Sequence, residues 1–193
     1  MKSWSNNLAS VFILFVFVNI SSSQMKEGKS IGIPPIVKVL SDSNMVITFT
    51  KEQNKAINEF GKLNPDLYLV TSKNVDPDEK IEIYNRFKNG DMQYQYACWC
   101  DFNNDGYIDI VVLFKSKTPV NGWGWNTFCF VLLKGQKDGT YAPIKIYSFN
   151  GGCLDGMLFH PKEKIVEFYC SGVSSGTFRW SNGRFIVKKI VGD

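Results

Sequence analysis

Only one histidine, His160, occurs in 193 residues, and the C-x-C pair Cys98 and Cys100 has no second ligand pair at a suitable spacing. A structural zinc site usually draws its four ligands from two such pairs, so the missing second pair argues against that class. No phosphate loop and no dinucleotide fingerprint occurs, which removes the commonest nucleotide-binding designs. Charge is scarce too. With Lys2 set aside, 21 basic residues face 18 acidic ones, a net of about +3, too weak a field for nucleic acid. Lys162, Lys164, Arg179, Arg184, Lys188 and Lys189 thicken toward the C-terminus, but they alternate with apolar residues and read as a solvated strand face. Nor does any apolar run approach the ~20 residues that span a bilayer.

What is present is ordinary globular composition, 44% apolar and 21% charged, with length for one core. The N-terminus differs from the rest. Lys2 precedes an apolar run from Val11 to Val18, and Ser21-Ser22-Ser23 follows with small residues where a signal peptidase reads. Residues 1–23 therefore read as a secretory signal peptide, leaving 24–193 as a single α+β domain, exported to the periplasm or the extracellular space, with no transmembrane segment. No cysteine follows the apolar run, which argues against a lipid anchor. Export permits disulfides among Cys98, Cys100, Cys129, Cys153 and Cys170, but the odd count leaves at least one thiol over, and spacing does not fix the pairing.

Two helices are expected first. Thr50 and Gln53 form a T-x-x-Q capping box ahead of KEQNKAINEFGKL, and Asp76-Pro77 opens a second helix that Gly90 ends. After Gly90 the period changes to that of strands: YQYACWC, YIDIVVLF, TFCFVLL, YAPIKIYSF, KIVEFYC, TFRW and RFIVKKIV, with a tight turn at Asn182-Gly183. The expectation is an α+β fold, mainly an antiparallel sheet of six or seven strands with the two N-terminal helices packed on it. Residues 24–31 and the GIPP that follows read as an extended leader.

The stretch DFNNDGYID carries the most chemistry. In a tightly wound loop, side chains at positions 1, 3, 5 and 9 and the carbonyl of position 7 point inward, and a glycine at position 6 permits the turn. Those positions are Asp101, Asn103, Asp105, Asp109, Tyr107 and Gly106. All-oxygen ligands with three negative charges suit a hard divalent cation, Ca2+ before Mg2+. An EF-hand would need a bidentate glutamate at position 12, where Val112 stands. The loop resembles instead the calcium loop of FG-GAP and VCBS-type repeats, the integrin-propeller kind, and exported bacterial proteins that carry one such segment. That resemblance implies ligation by Asp101, Asn103, Asp105 and Asp109 with the Tyr107 carbonyl. The Phe-Gly and Gly-Ala-Pro segments that name the repeat are absent around the loop, and it occurs once where a propeller needs several. A metal-free Asx-rich turn is the simpler alternative, but it explains Asp105-Gly106 and not the acids at positions 1 and 9.

Catalytic candidates are thin. Gly172-Val173-Ser174-Ser175-Gly176 matches G-x-S-x-G, yet a strand follows where the serine-hydrolase elbow has a helix, and His160 precedes it in the chain. An envelope hydrolase using His160 with Ser174 or Cys170 is the alternative reading. Trp123 and Trp125 lie in a glycine-rich loop with Asn121 and Asn126, a pattern suited to a protein or glycan partner. The function expected is an exported, calcium-stabilised binding or interaction domain without catalytic activity. An inhibitor or immunity-type protein of the cell envelope is one specific form of it.

Overall fold

The computed structural model describes residues 31–41, 44–71, 77–90, 92–170 and 174–191. The expected signal peptide and the Asp76 cap lie outside them. The elements run β1 (Ile36–Ser41), β2 (Asn44–Thr48), α1 (Lys51–Leu63), β3 (Leu67–Leu69), α2 (Pro77–Asn89), β4 (Ala97–Cys100) and β5 (Asp109–Ser116). There follow β6 (Asn126–Gly135), β7 (Tyr141–Gly151), β8 (Gly156–His160), β9 (Ile165–Tyr169), β10 (Ser174–Ser181) and β11 (Arg184–Val191).

Helix α1 starts at the expected box: the Gln53 N–H donates to Thr50 Oγ1 at 3.3 Å, and the Thr50 N–H donates to Gln53 Oε1 at 2.8 Å. Gln53 is fully buried, and its amide also donates to the Ile33 carbonyl at 2.7 Å and to the Tyr141 hydroxyl at 3.3 Å. One side chain thus ties the helix start to the N-terminal segment and to β7. Ala56, Ile57 and Phe60 form the buried stripe, and the Phe60 ring meets Phe114 of β5 at 4.9 Å between centroids. The second helix packs with β2 and closes on Gly90, whose φ of 81° only glycine adopts readily.

Strand β5 is the centre of a five-stranded antiparallel sheet. On one edge it pairs with β6, and β7 follows; on the other it pairs with β4 along Asp109–Val112 and with β3 along Phe114–Ser116. Strands β8 to β11 form a second antiparallel sheet in the order β11-β10-β9-β8. The two sheets meet through aromatic rings: Phe130 lies 5.0 Å from Phe168 and 5.2 Å from Phe178, and Phe149 lies 5.8 Å from Phe168. Such pairs add about 0.5–1.5 kcal/mol each beyond the area they bury. The ring of Phe168 lies across its strand partner Gly176, where a Cβ would stand 2.2 Å from Cζ, so no other residue fits there without displacing it.

The expected single sheet of six or seven strands is overturned: among the described residues eleven strands form three sheets, and the fold is more β-rich than anticipated. The seven expected strands are present. Four more were missed. Strands β1 and β2 form a hairpin where an extended leader was expected to pass into helix, β3 is three residues long, and β8 lies in GMLFH, where no strand was expected. The division into separate sheets follows from the unbroken apolar runs. Residues Ile110–Phe114 and Phe128–Leu133 are buried throughout, so both faces of the sheet need cover. Helix α1 covers one face and the second sheet covers the other.

Candidate metal centre

The acidic loop joins β4 to β5. Cys100, the last residue of β4, is in register with Asp109, the first of β5, so the chain must reverse within the eight residues between them. Asn104 and Gly106, at φ 60° and 88°, make the reversal possible, because asparagine and glycine tolerate left-handed backbone best. The side chains then wind inward. Asp101 Oδ1 accepts the Asp105 N–H at 3.1 Å and Oδ2 the Gly106 N–H at 3.0 Å; Asn103 Oδ1 takes the Asp105 N–H at 2.9 Å; Asp105 Oδ1 takes the Tyr107 N–H at 3.0 Å. The Asn103 amide donates to Asp105 Oδ2 at 2.9 Å.

Five other segments grip this loop. Phe102 is buried between Phe159 of β8 and Phe185 of β11, both 5.7 Å away. The Lys164 ammonium, from the β8–β9 turn, donates to the Asp101 carbonyl and to Asn104 Oδ1, the latter at 2.6 Å. Lys134 pairs with Asp105 Oδ2 at 3.4 Å, with both side chains about a third exposed. The Ile31 N–H donates to the Gly106 carbonyl at 2.6 Å, and the Ile108 N–H to the Ile31 carbonyl at 3.0 Å, so the N-terminal segment straddles Tyr107.

Asp109 is the unusual member. It is 0% exposed. Its Oδ1 accepts the Gly135 N–H at 3.0 Å, while Oδ2 is buried with no hydrogen-bond partner. Burial pushes the carboxyl up to about 7, the backbone N–H groups of Gly135 and Phe102 oppose that, the latter too poorly aligned to make a hydrogen bond to Oδ2, and the negative charges of Asp105 and Asp101 add to it. Keeping such a carboxylate ionised costs about 4 kcal/mol relative to an unperturbed one. A buried acceptor with that penalty and no well-formed hydrogen bond is what a bound cation would relieve. The donor set is all oxygen, as a hard cation requires. The carboxylates are held apart, however: the acidic oxygens of Asp101, Asp105 and Asp109 do not all lie within 4.8 Å of one another. Lys134 pairs with Asp105 from the side, so an ion at Asp105 would meet a neighbouring positive charge.

Position 12 is no ligand, since Val112 is buried within β5. Among the described residues the three acidic or thiol groups that do converge are Cys153, Asp155 and Cys170, but Cys153 and Cys170 form a disulfide and offer no thiolate. Cys98, Cys100 and Cys129 are free and buried, and burial pushes their thiols up, away from the reactive thiolate.

The hydrolase candidates do not come together. His160 Nε2 sits 3.2 Å from Glu167 Oε2 on the exposed face of the second sheet. Its register row runs through Ile165 to Arg179, and Ser174 is five residues further along β10, about 17 Å at ~3.3 Å per residue. Cys170, being disulfide-bonded, has no thiol to activate. A shallow groove between α1 and β3 is lined by Ile57, Tyr68, Phe114, Lys62 and Lys117 among others, and contains no carboxylate, histidine or thiol. Trp123 and Trp125, 86% and 47% exposed, lie beyond the opposite end of β5 from the acidic loop, some 23 Å away along the strand.

Gly135, Lys134, Lys164 and Ile31 belong to the centre and were not singled out in the sequence. Gly135 ends β6 where a Cβ would stand 2.4 Å from the Ile108 carbonyl oxygen, a close approach that no local sequence pattern reports. Lys164 read as one more solvated cation. Comparison with family models, curated proteins and solved structures finds no match.

Proposed function

We propose that the chain is an exported binding or interaction domain, without catalytic activity, whose acidic loop takes up one calcium ion as a structural clip. The observation that carries the reading is Asp109 Oδ2, buried and without a well-formed hydrogen bond at the foot of a loop that already turns three further oxygen-bearing side chains inward. Asp101, Asn103, Asp105 and Asp109 would hold the ion, with the Tyr107 carbonyl, in the manner that the FG-GAP resemblance implies. The ion would supply charge neutralisation at the junction of β4, β5 and the N-terminal segment.

Three observations support the rest of the reading. The Cys153–Cys170 disulfide suits an oxidising compartment, in keeping with the apolar run behind Lys2. The hydrolase candidates are dispersed. The exposed tryptophan loop is remote from the acidic loop, so it is free to contact a partner while the ion holds the fold.

Isothermal titration of the chelator-stripped protein with calcium tests the clip. One saturable site, lost in Asp109→Ala and Asp101→Ala, is the expected result. A protein that takes up no calcium at millimolar concentration contradicts it.

A further inference from the structure

We propose that the Trp123–Trp125 loop binds a neutral carbohydrate, with the apolar face of a pyranose stacked on the indole of Trp123. This deepens the reading of the chain as a binding domain by naming the ligand class, and does not depend on the calcium site. The loop is built to hold its rings out. Asn121 Oδ1 accepts the N–H groups of both Trp123 and Trp125 at 3.1 Å, the Val120 N–H donates to the Trp125 carbonyl at 2.7 Å, and the Asn126 amide donates to the Gly124 carbonyl at 3.3 Å. Gly124 takes a φ of 75° to allow this. The loop satisfies its own backbone groups while leaving Trp123 86% exposed, a large apolar surface in water with no packing to offset it.

The surroundings select the ligand. Trp125 passes over Gly152, 3.9 Å from where a Cβ would stand, which brings the end of β7 beside the loop. There Thr127 Oγ1 donates to Asn150 Oδ1 at 2.9 Å, orienting the Asn150 amide so that its N–H groups remain available. Neither residues 118–127 nor residues 146–154 include a charged side chain, in a chain of which 21% is charged. The indole rings, primary amides and hydroxyl of these two segments, flanked in sequence by Lys117, Lys145 and Asp155, offer no charge of their own to a phosphate, an acidic polysaccharide or a charged peptide. They do complement a sugar ring: the axial C–H groups of a pyranose carry partial positive charge and meet the negative face of an indole, while the equatorial hydroxyls reach amide and indole N–H donors. A preorganised platform also limits the entropy lost on binding.

The intact protein is titrated with chitotriose, cellotriose and maltotriose by tryptophan fluorescence and applied to an array of neutral glycans, with Trp123→Ala and Trp125→Ala alongside. The expected result is a saturable response to at least one neutral glycan, insensitive to 0.5 M salt and weakened roughly tenfold or more in Trp123→Ala, whose urea midpoint stays at the parent value. The absence of any Trp123-dependent neutral-glycan response overturns the inference, as does a response confined to charged polysaccharides and abolished by salt. A protein ligand that requires Trp123, with the array blank, overturns the carbohydrate assignment while leaving the interaction domain standing.

Discussion

Asp109 accepts the backbone N–H of Gly135 through one carboxylate oxygen, at 3.0 Å, and buries the other without a partner. The contact joins the first residue of β5 to the last residue of β6 and exists because Gly135 has no side chain. The charge balance of the acidic loop turns on this half-satisfied carboxylate.

Gly135→Ala forces a methyl to within 2.4 Å of the Ile108 carbonyl oxygen, a backbone atom that a rotamer change cannot clear. Urea unfolding should show a loss of about 1–3 kcal/mol or more. Gly122→Ala, where nothing lies within 4 Å and no positive φ is needed, should stay within about 0.5 kcal/mol. Equal effects would dissociate stability from the Asp109 contact.

The pH dependence follows from the sign of the Asp109 shift. Its carboxyl titrates near 3.8 when unperturbed and near 7 in the fold, so between those values the native state holds a proton that the unfolded chain has lost. In chelator, this group should make stability fall as pH rises from about 4 to about 7, by up to about 4 kcal/mol. Calcium favours the ionised form and should remove that slope. Asp109→Asn should melt above the parent protein at pH 8 in chelator and gain nothing from calcium. Melting curves from pH 4.5 to 8 in both conditions check both statements, and a parent slope of the opposite sign that Asp109→Asn leaves unchanged would refute them.

Lys134 competes with a cation for Asp105. Lys134→Met should tighten calcium binding, by no more than about fivefold, because a pair that is about a third exposed on each side contributes at most ~1 kcal/mol. Titration calorimetry reads the change; weaker binding in the variant would mean that Lys134 positions the loop instead of opposing the ion.

The disulfide links residues 17 apart, and opening a loop of that size costs about 3 kcal/mol in the chain-entropy account. Reductant should lower the melting temperature, while thiol labelling of the oxidised native protein should be negligible, because Cys98, Cys100 and Cys129 are all buried. Rapid labelling of the native state would place one of those thiols at the surface.

Much of this was legible in the sequence where a local signal sufficed. The Thr50/Gln53 box, the Asn182-Gly183 turn with φ of 51° and 78°, and the glycine of the acidic loop all follow from backbone chemistry within a few residues. The layering was not legible. A buried run such as Phe128–Leu133 declares that it is covered, but not whether helix or sheet covers each face. The partners of the acidic loop were hidden for a similar reason: Lys164 lies 60 residues from Asn104 in sequence, and Ile31 reaches the loop through its backbone alone, which no side-chain pattern reports.

Whether the acidic loop is a calcium clip is read from a thermal melt of the protein in calcium, in magnesium and in chelator. At free calcium a hundredfold above Kd, an ion bound only by the native state contributes about 2.7 kcal/mol, which for a chain of this size is a rise of roughly 5–10 °C. That rise, smaller with magnesium and absent in Asp101→Ala and Asp109→Asn, is the predicted result. Superimposable melts in calcium and chelator would contradict the account and leave the loop an Asx-rich turn closed by its own hydrogen bonds.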